Sequence, residues 1–151
     1  YPWNDSVWMS QWEFVSQRQE GGTQSLGFSI LNDEGDDYTY LLFETEKLFV
    51  FVAPYLNEMS EDDFSECQRI YDFVNKNGYN YLWITAVNPE YVYKLQEDYY
   101  MFDEVYFGDE LELKSMVRSN PGLILMDNGV ILDKWSKIDF PKEKEINTLL
   151  K

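Results

Sequence analysis

Two spacings of apolar residues alternate along this chain and predict its elements in order. Leu48 to Ala53 (LFVFVA) is apolar at every position and rich in β-formers, which is the pattern of a strand buried on both faces of a sheet. That places it at the centre of the sheet. Tyr81 to Val87 (YLWITAV) reads as a second buried strand. Between them the period changes, because Phe64, Cys67, Tyr71 and Val74 recur at intervals of three or four and predict a helix. Ser60 serves as its N-cap, the acids of SEDD (60 to 63) complement the dipole in its first turn, and Gly78 ends it. Asn88-Pro89-Glu90 opens another helix with Asn88 as cap, Pro89 at its first position, and Val92, Leu95 and Tyr99 on its inner face.

On the N-terminal side, SLGFSIL (25 to 31) and YTYLLF (38 to 43) flank the turn cluster NDEGDD, which predicts two strands or a strand and a loop. On the C-terminal side, EVYF (104 to 107) predicts a short strand and Asp109 to Val117 a helix. Leu123 to Met126 and Val130 to Trp135 form a hairpin through Asp127-Asn128-Gly129. A last helix follows Pro141, with Ile146, Leu149 and Leu150 inward. The expected fold is α/β, a mixed sheet flanked by helices that ends in a β-hairpin and a C-terminal helix, since parallel strands require helical crossovers. Trp8, Trp12 and Val15 share one helical face, and EGGTQ (20 to 24) is a connector. Residues 1–24 therefore read as an aromatic-rich helical segment or stalk, and residues 25–151 as the domain.

Composition narrows the chemistry. Acidic residues outnumber basic ones 28 to 12 for a net charge of −16, a field that repels phosphate backbones and argues against nucleic acid as a partner. The chain has no histidine, which removes Ser-His and Cys-His dyads, imidazole metal sites and the usual proton shuttle. One cysteine, Cys67, allows no internal disulfide and no multi-thiolate metal site. No apolar run reaches the roughly 20 residues of a membrane-spanning helix. The chain begins at Tyr1 without a methionine or signal-like region, which reads as a mature segment or a piece of a longer protein.

The order of elements, with FSILNDEGDD, LFVFVAP, YLWITAV and the closing VRSNPGLILMDNGVI, resembles the thioredoxin-like superfamily, and more closely its peroxiredoxin and TlpA-like branch. The resemblance spans about Leu26 to Leu150. It implies a cis peptide at Asn120-Pro121, because the family's closing proline is normally cis beside a redox dithiol. Family enzymes place Cys-x-x-Cys or a peroxidatic cysteine between the core strand and the first helix, whereas PYLNEMSEDD (54 to 63) has no cysteine. What the resemblance leaves is a degenerate active-site surface of Pro54, Tyr55, Leu56, Asn57, Ser119, Asn120, Pro121 and Gly122, where family members bind extended peptide. RSNPG, DKW and DFP resemble in particular the thioredoxin-like domain attached to bacterial DoxX-type membrane proteins. That implies covalent attachment to a membrane domain and a periplasmic or extracytoplasmic location, with the tryptophan-rich start as the stalk.

The expected function is a non-catalytic domain with a binding or accessory role toward a protein or peptide, using no cofactor, metal or catalytic residue. Two alternatives stand beside it. One is a one-cysteine redox enzyme using Cys67, although that residue lies two helical turns past the cap, in phase with the apolar face. The other is a glycan-binding module built on the 12 tyrosines and five tryptophans. A calcium loop in NDEGDD fails on spacing, since Gly35 falls fourth where an EF-hand needs it sixth. Asn4-Asp5-Ser6 matches a glycosylation sequon.

Overall fold

The structure, a computed structural model, describes residues 29–150. Trp8, Trp12, Val15, the sequon and the proposed boundary between residues 24 and 25 lie outside the described residues. In chain order the elements are α1 (Tyr40–Glu44), β1 (Leu48–Ala53), α2 (Glu61–Lys76), β2 (Asn80–Thr85), α3 (Pro89–Asp98), β3 (Val105–Phe107), α4 (Glu110–Met116), β4 (Gly122–Asp127), β5 (Val130–Ser136) and α5 (Glu143–Leu149). Short 3-10 turns occupy Leu56–Glu58, Tyr100–Phe102 and Lys137–Asp139.

The five strands lie in the order β3-β2-β1-β4-β5, so the all-apolar strand is central. β1, β2 and β3 run parallel, with α2 and α3 as the crossovers; β4 turns back against β1, and β5 against β4. Alternation along β1 divides the core in two. Phe49, Phe51 and Ala53 face one layer with Cys67, Ile70 and Val74 of α2 and Ile146 of α5, while Leu48, Val50 and Val52 face the other with Leu42 of α1 and Leu113 and Met116 of α4. All six β1 residues are buried. Each large side chain so buried contributes roughly 1.5–3 kcal/mol, which is why this strand tolerates no polar position.

Local chemistry starts and stops these elements as the pattern predicts. Ser60 and Asp63 form a reciprocal capping box on α2. Asn88 caps α3 with Pro89 at N1, and Asp109 caps α4 by accepting from Leu111 and Glu112 N–H. The β4–β5 turn places Asn128 at φ 50° and Gly129 at φ 87°, the left-handed pair that a tight hairpin requires. A Cβ on Gly129 would also meet the Phe43 backbone at 3.3 Å.

One expected element differs. YTYLLF contains the helix α1 in place of a strand or loop, and among the described residues before it Leu31 forms isolated bridges, to Asp37 and to Phe107. The cause lies in the turn before it. Asn32 accepts from Glu34 and Asp36 N–H through its side-chain oxygen, and Asp37 accepts from Thr39 N–H, which bends the chain into a helical turn before a ladder can extend. Leu42 then points into the core from α1.

Trp83, fully buried on β2, stacks on Phe51 with ring centroids 4.6 Å apart, and its Nε1 has no hydrogen-bond partner. An unpaired buried donor costs free energy that a phenyl ring would not incur. Trp83→Phe is therefore expected to cost less than about 2 kcal/mol, against about 3–5 kcal/mol for Trp83→Ala. Urea denaturation of the two variants checks the difference.

Candidate functional site

Two connections meet at the carboxyl end of β1. One is the Pro54 to Ser60 loop leading into α2, and the other is the Ser119 to Gly122 turn leading into β4. The Asn120-Pro121 peptide between them is cis. Asn120 joins the two loops through both ends of its amide: its Oδ1 accepts from Tyr55 N–H at 3.0 Å, and its Nδ2 donates to Tyr55 O at 2.7 Å. A side chain thus supplies the two bonds that a neighbouring strand would make.

The eight residues expected at this surface divide into two sets. Pro54, Leu56, Pro121 and Gly122 are buried and form its base, Gly122 as the first residue of β4. Tyr55, Asn57, Ser119 and Asn120 reach solvent. Within the loop, Leu56 and Met59 stand three residues apart and are both buried. Gly122 is required by its neighbour, since a Cβ there would lie 2.5 Å from Val117 Cγ1.

The surroundings are ionic and come from elements distant in sequence. Tyr55 donates its hydroxyl to Glu110 Oε2 at 2.6 Å, and Lys114 Nζ lies 6.0 Å from the centre of its ring. The Glu110 carboxylate, accepting that bond, holds the Tyr55 phenol above its ordinary value. On the other side Ser119 Oγ donates to Pro121 O and accepts from Lys137 N–H. Lys137 Nζ reaches Asp63 Oδ2 at 3.4 Å, which ties the end of β5 to the capping box of α2. Glu110, Lys114, Lys137 and Asp63 are the members of this site that sequence reading missed. Only Asp63 had a local signal, its place in SEDD.

Cys67 does not join the site. It is 0% exposed, packed in the α2 layer of the core. Burial pushes its thiol far up, and the neighbouring Asp63 and Glu66 carboxylates push the same way. Among the described residues no lysine or arginine acts on it to favour the thiolate. Among the described residues no group of three acids or thiols is placed to hold a metal ion, and no helix is long and apolar enough to cross a membrane. Chemically, the junction offers hydrogen-bonding and ionic groups on a rigid base.

The sheet order, the helices on both faces and the closing proline hairpin define a thioredoxin-like fold. The solved structures it matches agree. Yeast Sco1 superposes with a TM-score of 0.59 at 14% identity, over 82% of this chain and 89% of that one. A putative thioredoxin from Neisseria meningitidis gives 0.57 at 17% identity over 81% and 86%, and a thiol peroxidase from Chromobacterium violaceum gives 0.55 at 13% over 81% and 80%. At these identities the likeness is one of fold. No protein-family model and no curated protein sequence matches the chain.

Asn120→Ala removes both bonds to Tyr55 and leaves that backbone pair partly buried without partners. A loss of about 1–3 kcal/mol is expected, with faster hydrogen exchange at the Tyr55 amide, measured by urea denaturation and NMR. Gly122→Ala is expected to lower stability by about 1–3 kcal/mol through the Val117 clash. Adding Val117→Ala should recover part of that loss in a thermal melt.

Proposed function

We propose that this chain is a non-catalytic thioredoxin-like domain that binds a protein or peptide partner at the Pro54–Asn57 and Ser119–Gly122 junction. The observation that carries the reading is the pair of hydrogen bonds between the Asn120 amide and the Tyr55 backbone. It occupies the space between the two loops with a neutral amide, while the one thiol of the chain is packed in the core behind. A junction held this way presents a preorganised surface, and preorganisation favours binding by reducing the entropy lost on association. Exposed apolar residues adjoin its ionic members in sequence. Leu111, 74% exposed, follows the glutamate that holds Tyr55, and Ile138, 85% exposed, follows the lysine that holds Ser119.

We also propose that the domain is the soluble part of a bacterial envelope membrane protein, on its extracytoplasmic side. The likeness of RSNPG, DKW and DFP to DoxX-attached domains and the Trp8, Trp12, Val15 face support this reading. Recovery of the native protein in the membrane fraction is the expected outcome.

The rate at which Cys67 reacts with a thiol reagent, native and denatured, tests the non-catalytic reading. Slow native labelling that denaturant releases is expected. Native labelling should stay slow above pH about 8.5, where a free thiol ionises. Because the fold holds Cys67 protonated while the unfolded chain releases its proton, stability is expected to fall as pH rises past that value. Fast native labelling with a lowered apparent pKa would replace the proposal with a one-cysteine redox enzyme.

A further inference from the structure

β2 is partnered unequally on its two sides. β1 pairs with all of Asn80 to Thr85, whereas β3 pairs only with Trp83, Ile84 and Thr85. The hydrogen bonds show which groups this leaves open. Asn80 donates its N–H to Lys47 O on the β1 side, and Trp83 donates its N–H to Glu104 O on the β3 side. Because successive residues alternate, Tyr81 directs its N–H and C=O the same way as Trp83. Among the described residues no strand fills the β3 lane beside Tyr81. A notch of about 410 Å³ opens there, and Leu48, Tyr81, Leu82, Glu104 and Tyr106 are among the residues that line it.

We propose that this notch receives the free N-terminal end of an extended polypeptide from a partner, which adds to β2 in line with β3. Size sets the length. The unpaired stretch from Asn80 to Leu82 is about 10 Å at roughly 3.3 Å per residue, room for about three residues. Closure sets the use of a chain end, since β3 occupies the lane beyond Glu104 and a continuous strand could not pass.

Charge chooses the amino end. Glu104 is exposed, Asp103 precedes it, and the chain carries −16 overall, so an ammonium is attracted where a carboxylate would be repelled. Both acids lie close enough to act on Tyr81, whose phenol is raised first by burial and then by Tyr71, Asp103 and Glu104. Main-chain bonds to Tyr81 would supply affinity, and Leu48 and Leu82, apolar residues of the lining that share one core layer, favour an apolar side chain at alternate positions. The notch lies at the starting ends of β1 and β2, opposite Pro54 and Pro121, and does not depend on the binding junction there.

The test uses the full chain and the peptide Ile-Thr-Val-Thr-Ile amide, whose one charge is its N-terminal ammonium, followed by NMR. The peptide is expected to shift the Tyr81, Leu82 and Glu104 amides and slow exchange at Tyr81. Acetylating its amino end should weaken binding about threefold to fivefold, the scale of one exposed ion pair, and Glu104→Gln should reduce that difference. No shift at Tyr81 with millimolar peptide, or equal binding of the acetylated form, overturns the proposal. A Tyr81 amide already protected without peptide overturns it as well. Protection independent of protein concentration would mark residues of the chain itself in the notch, and protection that grows with concentration would mark a second copy.

Discussion

Six consecutive apolar side chains on β1 have to be covered from both sides, and the rest of the domain is arranged to cover them. Phe49 and Phe51 on one face call for α2, α3 and α5; Leu48, Val50 and Val52 on the other call for α1 and α4. A strand buried on both faces also needs a strand on each edge, because its N–H and C=O groups would otherwise be buried without partners. β2 supplies one edge by a helical crossover and β4 the other by an antiparallel return. The α2 crossover and the β4 return bring two distant loops to the same end of β1.

That coincidence creates the junction of the two loops. Tyr55 directly follows the loop's Pro54, and Asn120 directly precedes the turn's Pro121, so the two are 65 residues apart in sequence and bonded twice in space. The ionic groups around them arrive by the same route. Glu110 and Lys114 come from α4 because that helix packs on β1 and β2 through Leu113, and Lys137 comes from the end of β5 because β5 follows β4.

Much of this was legible from spacing. The two buried strands, the caps Ser60 and Asn88, the Asn128-Gly129 turn and the inward face of α2 each depend on residues within a few positions of one another. Local interactions decide them, so a local reading finds them. The same reading leaves YTYLLF as a strand or a loop, and the helix there turns on side-chain bonds from Asn32 and Asp37 that compete with a ladder.

The chain by itself determined that a doubly buried central strand would be flanked by helical crossovers, and that histidine or dithiol chemistry was excluded. Those follow from residue type and period alone. Tertiary structure decided that Asn120 would bond Tyr55, that Leu56 and Pro121 would form a base instead of a surface, and that β3 would pair with only the second half of β2. Each of these depends on distances between segments that nothing in the local sequence encodes, and which become set only when the sheet closes around β1.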